Sequence, residues 1–522
     1  MMGATAIGMD AGTDTATDGA ATNGAALGST PTGMAPATRA QCEAALRAVE
    51  AAIPSAGAAP PIELLFQRAA LLQQLGDEAR SRSAYLETLA RDPDHPGALC
   101  NLGREMMRTR HYAAARMLLL RAVEKHPDDR DSRVALGMLL VQTGDPAAAR
   151  AAFARVLERH PEDAIAHTGM AFALTRLGDP ERAAEHRRRG FQDRSIIEQP
   201  YRGDGEPVRV LMLASANEAN APLERFLDER TFQVWIAVTE FQDPRQALPD
   251  HDLVVNAAGD VDADAAAVRG AITLAARTDA PVINAPQALA RTGRCDNWHR
   301  LQGIAGVLTP HAHTLPRAVL EGGDAVAALA RHGLSFPLLL RSPGYHGGDH
   351  FARVDRPDEL PAIVAALPGA QLIAIEFLDL RDADGKNRKY RVMMVDGRLY
   401  PLHLAIGHRW KLHYRSADMA DNATHRAEDA RFLADMAGVL GPRAMQALSD
   451  VQAALGLDYG GIDFAVAPDG RVVVFEANAT MIVPPPDADP RWDYRRPAVA
   501  RIDAAVRRML LERAGRREPA AT

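Results

Sequence analysis

Cysteine is scarce: Cys42, Cys100 and Cys295 are the only three in 522 residues. An odd, scattered set without CxxC spacing gives no disulfide framework, and a reduced, cytoplasmic setting is expected. The sequence also lacks any run of about 18 or more uncharged apolar residues, which removes membrane-spanning helices. Its first residues lack the basic and then apolar order of a secretory signal. Nor is there a basic excess. Lys+Arg 60 against Asp+Glu 67 leaves a formal charge of −7, which supplies no field for nucleic acid or an anionic membrane. No GxSxG or comparable nucleophile motif occurs.

What is present is length, enough for about three domains with a large core. Residues 1–40 hold 11 Ala, 8 Thr and 7 Gly and no aromatic residue, so they have little with which to offset the entropy of ordering and are expected to form a disordered tail. Residues 41–200 read as helical. Pro93, Pro127 and Pro161 recur every 34 residues, in RDPDH, KHPDD and RHPED, and a second ladder of turns (Gly76, Arg110, Gly144, Gly178) keeps the same interval. In this frame Leu102-Gly103, Leu136-Gly137 and Met170-Ala171 fall in the first helix of each repeat and Ala115, Ala149 and Ala183 in the second. Small residues there let paired helices approach, with Leu99, Met106, Leu119, Leu140 and Phe153 as the apolar stripe. The segment from 62 to about 190 resembles the tetratricopeptide repeat (TPR), as three full repeats and a weaker fourth. The resemblance implies an all-α solenoid with a groove for a peptide or protein partner, and Asn101, Arg104, Arg108 and Arg133 are candidates to line it.

A polar stretch, GFQDRSIIEQPYRGDGEP, reads as a linker, and from Pro207 the period becomes strand-like. VRVLMLAS, FQVWIAVTE, DLVVNAAG and APVINAP are short β-branched runs separated by helix-compatible segments, which predicts a parallel, doubly wound α/β domain over 207–300. Asn256 and Asn284 end two of its strands, where such sheets place ligands and where turn formers also stand.

The segment GGIDFAVAPDGRVVVFEANATM, Gly460 to Met481, reads as a hairpin. With Asp469-Gly470 as a two-residue loop, Asp463 falls opposite Glu476, and Asn478 shares the face of Glu476. Two carboxylates so placed repel unless positive charge lies between them, and the oxygen donors suit Mg²⁺. The competing reading is an edge hairpin with polar residues facing water, against which Phe464, Val466, Val473 and Phe475 supply apolar residues on both faces.

The D…ExN strand pair resembles the metal-binding signature of ATP-grasp enzymes, and the upstream order agrees. FPLLLRSPGYHGGDHFARV is similar to the glycine-rich loop of that family, QLIAIEFLDL to its hinge strand, and KYRVMMVDGRLYPLHLAIGHRWKLHY to its basic strand pair. The resemblance implies a pre-ATP-grasp α/β domain followed by an α+β ATP-grasp domain over 301–515. It implies ATP and Mg²⁺, with Asp463, Glu476 and Asn478 as metal ligands. Arg341 would contact phosphate where a lysine is usual, beneath a loop whose Gly344, Gly347 and Gly348 allow close backbone approach. The backbone at Glu376, Phe377 and Leu378 would meet adenine. Lys389 and Arg391 would face phosphates, Lys411 the transferred group or the acceptor, and His403, His408 and His413 the substrate mouth. TGRCDNWHRLQGI lacks the nucleotide-binding lysine usual at the entry to the domain, leaving Arg294 or Arg300 to compensate.

The expected activity is ATP-dependent carboxylate–amine ligation through an acyl phosphate, with the repeats recruiting a peptide or protein and with a small molecule or peptide as substrate. Two alternatives stand beside it: a TPR scaffold carrying a degenerate nucleotide-binding domain, and phosphotransfer to a hydroxyl.

Overall fold

The computed structural model describes residues 39–55, 60–217, 220–262, 264–345, 348–412 and 417–516. The predicted tail up to residue 38, Gly347 and His413 lie outside them. The chain divides into two compact units, Met1–Gly205 and Glu206–Thr522.

The first unit is helical. After the Arg39–Ser55 helix come four helix pairs, Ile62–Gln74 with Glu78–Arg91, Pro96–Arg108 with Tyr112–Lys125, Arg130–Gln142 with Pro146–Arg159, and Ala164–Arg176 with Pro180–Phe191. The fourth repeat is thus as complete as the others. The turn ladder has a backbone cause: Gly76, Arg110, Gly144 and Gly178 all have positive φ, and glycine takes that conformation without steric cost while Arg110 does not. Asp77, Asp145 and Asp179 follow three of those turns and accept a backbone N–H of the next helix, an N-cap stabilising each helix by about 1 kcal/mol. The small residues act as expected. A Cβ on Gly169 would lie 2.2 Å from the Phe153 ring and one on Gly137 2.6 Å from it. Leu99, Leu119, Leu140 and Phe153 are buried, and Met106 packs partly buried against the core.

Two of the proposed groove residues turn inward or sideways. Asn101 is buried and its Nδ2 donates to the Tyr85 hydroxyl, so it ties two helices together, and Arg108 pairs with Glu78 at 2.7 Å. The stretch read as a linker begins inside the last helix, which runs to Phe191, and it contains a short strand β1 (Ile196–Glu198).

The second unit contains three sheets. Strands β2 (Val208–Ala214), β3 (Phe232–Val238), β4 (Leu253–Asn256) and β5 (Val282–Ile283) lie parallel in the order β3-β2-β4-β5. β2 and β4 are near-continuous apolar runs, as burial on both faces demands. Asn256 and Asn284 are both fully buried. Asn256 Nδ2 donates to Asn284 O, and Asn284 exchanges two bonds with the main chain of Tyr459, so this pair stitches the parallel sheet to the hairpin.

The next sheet is antiparallel, with order β7-β10-β8-β9. It comprises β7 (Ala312–Pro316), β8 (Leu338–Arg341), β9 (Phe351–Val354) and β10 (Gln371–Glu376), packed around Leu338, Leu340, Val354, Leu372 and Ala374. The last has order β12-β11-β13-β14-β6 and comprises β6 (Val307–Leu308), β11 (Asn387–Val395), β12 (Arg398–Gly407), β13 (Tyr459–Val466) and β14 (Val472–Asn478). Asp396-Gly397 joins β11 to β12 with positive φ at both residues, the two-residue turn that matches strand twist.

Candidate functional site

The site is built on the last sheet, where register aligns one residue from each of four strands. His403 lies opposite Arg391, Arg391 opposite Asp463, and Asp463 opposite Glu476. The Asp463–Glu476 pairing is as expected, but the route to it is different. The hairpin turn spans three residues, closed by Ala467 N donating to Arg471 O, which shifts the register by one. A bulge that skips Phe475 shifts it back. Phe475 is 42% exposed, so the expectation that it forms part of an apolar face fails, because the bulge turns it outward.

Asp463 is fully buried. Arg391 grips it with two nitrogens, Nε at 2.5 Å and Nη2 at 2.8 Å, and Lys389 Nζ adds a third contact at 2.6 Å. Burial alone would raise the carboxyl pKa, but Arg391 and then Lys389 hold it far below the usual carboxylate range. Burial lowers the pKa of the neighbouring His403, and Arg391 reinforces the shift, so His403 is a neutral, buried member of the row. Glu476 accepts from Arg294 Nη2 at 2.7 Å and from Asn478 Nδ2 at 2.9 Å. The Asn478 oxygen accepts from the Thr480 main-chain N and hydroxyl. Asp463, Glu476 and Asn478 therefore converge as predicted, with organic cations on both carboxylates. Among the described residues no group of three or more His, Cys, Asp or Glu is arranged to hold a metal ion.

Arg341 ends β8 opposite Phe351 of β9. It is only 8% exposed; one Nη donates to the Tyr345 carbonyl, the guanidinium lies over the Phe351 ring, and the buried Nε has no hydrogen-bond partner among the described residues. Burial, and secondarily the charge of Arg294, lower its pKa to about 10. Gly344 and Gly348 of the loop have positive φ. A Cβ on Gly348 would lie 2.6 Å from Lys411 Cε, so the loop and Lys411 are in close approach. Lys411 Nζ is 3.5 Å from Phe351 O, and burial holds its pKa below lysine's usual range, opposed by Asp349. Trp410 beside it packs edge-on to Phe351 and Phe377, and Arg353 stacks on Phe377 at 4.0 Å.

The predicted hinge is modified. Glu376 N donates to His311 O and its side chain accepts from His311 N, so the Glu376 amide belongs to the ladder with the β7 segment. Phe377 and the half-buried Leu378 follow the end of the strand. His408 is exposed. Arg300 points away, to Leu455 O, whereas Arg294 lies within the site.

A solvent-open cleft runs beside Glu476 and Asn478. Its other lining includes Asp260 and Asp262 after β4, and Arg294, Asn297 and Trp298 of the Arg294–Leu301 helix. Asp260, Asp262 and Asn297 were not foreseen; they lie on a turn and a helix far from the hairpin in sequence, and only the path of the chain brings them there. A separate cluster beyond β2 and β3 also carried no sequence signal. The Ser215 hydroxyl lies 2.9 Å from Glu240 and 2.6 Å from Asp264. Burial, with the charge of Asp264, raises the Glu240 pKa to about 7.

Residues 66–130, 100–155 and 134–189 match a family model described as a tetratricopeptide repeat. The helical array is a TPR array. Among solved structures, the chain resembles MamA from Desulfovibrio magneticus RS-1 at 25% identity, covering 28% of this chain and 82% of that one with a TM-score of 0.26. MamA AMB-1 matches at 22% identity, over 29% and 88%, also with a TM-score of 0.26. At that score the likeness carries nothing about activity. No curated protein matches the chain. TPR arrays bind protein partners in general, and no helix among the described residues is long and apolar enough to cross a membrane.

Proposed function

We propose that the second unit is an ATP-dependent carboxylate–amine ligase of the ATP-grasp type, and that the TPR array recruits its peptide or protein partner. One observation carries the reading: Arg341, more than nine-tenths buried, keeps its Nε without a hydrogen-bond partner among the described residues. A buried guanidinium without a carboxylate is costly unless an anion completes it. The glycine-bearing loop that follows it offers backbone close to where phosphate oxygens would sit.

The two carboxylates, which face each other on neighbouring strands, are hard oxygen donors of the kind that suits Mg²⁺, and Asn478, which turns its nitrogen to Glu476 and its oxygen to Thr480, would have to rotate its amide to add a third. Asp463, Glu476 and Asn478 would hold it, and the ion would supply charge neutralisation at the phosphates. Arg391 and Lys389, now on Asp463, provide mobile positive charge for phosphate oxygens. Arg341 fixes the anion from the opposite sheet, and Lys411 and Trp410 cover the glycine loop and exclude water. No side-chain nucleophile is required. In the expected chemistry ATP activates a carboxylate and an amine displaces the phosphate.

The organic cations on Asp463 and Glu476 favour a second reading, a TPR scaffold with a nucleotide-binding but inactive domain. Acceptor-dependent ADP release, with an amide mass in the product, supports ligation, and a phosphoester mass moves the assignment to phosphotransfer. Nucleotide binding without turnover over a broad panel of amines and carboxylates leaves the scaffold. Absence of MgATP binding in the purified chain removes the nucleotide site altogether.

A further inference from the structure

A second gathering of ionisable side chains lies away from the buried row, at the edge of the antiparallel sheet. His311 and His313 stand at the start of the edge strand β7, two residues apart, and so share one face of it. Trp298 packs against both, with ring centres 5.0 Å and 5.4 Å from its own. His332 ends the helix Ala325–Arg331 and brings its ring centre to 4.6 Å from that of His313. The same turn approaches His311, since a Cβ on Gly333 would lie 3.3 Å from His311 Nδ1. A fourth imidazole, His299, packs on Trp298 but donates Nδ1–H to Cys295 O at 2.9 Å, which holds it to its own helix.

The His313–His332 pair has the spacing and the chemical state of metal ligands. Two imidazoles bound to one tetrahedral ion at about 2 Å have ring centres about 5 Å apart, close to the separation here. Among the described residues neither ring makes a hydrogen bond. Burial, followed by the charges of His332, His299 and His311, holds the His313 pKa below histidine's usual value, so near neutral pH its nitrogen keeps a lone pair to donate. The neighbouring carboxylates face elsewhere: Glu376 accepts the His311 main-chain N–H at 3.2 Å, and Asp296 turns toward Gly293, where a Cβ would lie 3.1 Å from it. His313 is half-buried and His332 exposed, so an ion reaches the pair from solvent.

We propose that His313 and His332 are the protein ligands of a divalent transition-metal ion, Zn²⁺ by preference, with water in its remaining positions. Two protein ligands make an open, exchangeable site rather than a closed structural one. Imidazole nitrogen suits zinc, copper and nickel, whereas magnesium keeps to oxygen, so this site is separate from the cation of the ligase reading and does not rest on it. An ion bound there ties the end of the helix Ala325–Arg331 to the edge strand β7.

The test is calorimetric titration of the full chain with ZnCl2 at neutral pH, with excess MgCl2 to occupy oxygen-donor sites. Zinc binding is expected in the wild type and should weaken at least about tenfold in His313→Gln and in His332→Gln, because loss of an outer-shell partner alone costs that much. In parallel, Ni²⁺ should quench the fluorescence of Trp298, whose ring adjoins His313, and Trp298→Phe should remove that quenching. Thermal melting checks that the histidine variants fold, and if either does not, the nickel comparison of wild type with Trp298→Phe decides. No zinc binding by the wild type, equal zinc affinity in the wild type and both histidine variants, or nickel quenching that survives Trp298→Phe overturns the site.

Discussion

The two units use charge in opposite ways. In the TPR array most charged pairs lie at the surface, as with Arg155 and Glu158 or Arg188 and Glu185, and the buried positions are mainly small or apolar. In the second unit charge is carried inside: Asp463 is fully buried between Arg391 and Lys389, and Arg341 is buried with no ion-pair partner among the described residues. Exposed pairs contribute little to stability, whereas breaking a buried pair is expensive. The first pattern specifies a fold. The second carries a desolvation cost, which is why the functional site is proposed in the second unit.

The largest expected effect comes from breaking the buried pair. Arg391→Met leaves Asp463 with Lys389 alone and is expected to cost about 3–5 kcal/mol in denaturant unfolding of the second unit. Adding Asp463→Leu should recover most of that loss, because Lys389 is partly exposed and reaches water. Single and double variants of equal stability would show that the row is not a buried ion pair in solution.

In the array the corresponding injury is steric. Gly169→Leu drives a side chain into Phe153 and is expected to cost about 3 kcal/mol through overpacking, lowering the helical transition and leaving MgATP binding unchanged. Of similar size is a pH dependence in the second unit. Glu240 binds its proton more tightly folded than unfolded, so it favours folding in acid, and that advantage is lost as pH rises from the ordinary carboxylate range through about 7. This group should lower stability by about 3 kcal/mol across that window, at about 1.36 kcal/mol per unit, and Glu240→Gln should reduce the slope, with the buried Glu224, also raised to about 7, supplying a further part of it. At the small end, Arg155→Ala on the array surface should leave the unfolding midpoint unchanged within error.

How much was legible follows the same division. The repeat ladders are local: each turn at Gly76, Arg110, Gly144 and Gly178 fixes its neighbours within a few residues, so a 34-residue period exposed the array. Asn101 misled because a polar residue on a helix looks solvent-facing, and only the neighbouring helix shows that it meets Tyr85. The hairpin pairing of Asp463 with Glu476 came out as expected through two compensating shifts, a three-residue turn and a bulge at Phe475, neither visible in the alternation of residues. Arg341 was recognisable by its place before the glycine loop. With four lysines in the whole chain, arginine is the usual cation here, so its presence in place of lysine says little about activity. Asp260, Asp262 and Asn297 were invisible because no local pattern joins them; only the path of the chain brings the turn after β4 and the Arg294–Leu301 helix together beside the hairpin.

The most direct test of the central claim, that the second unit houses a nucleotide site completed by an anion at Arg341, is calorimetric titration of the full chain with MgATP, wild type beside Arg341→Met. One binding event is expected in the wild type and a Kd at least about tenfold weaker in the variant, with unfolding stability unchanged or raised because a buried charge is gone. Equal affinity in the two proteins, or no binding by the wild type at millimolar nucleotide, would contradict it.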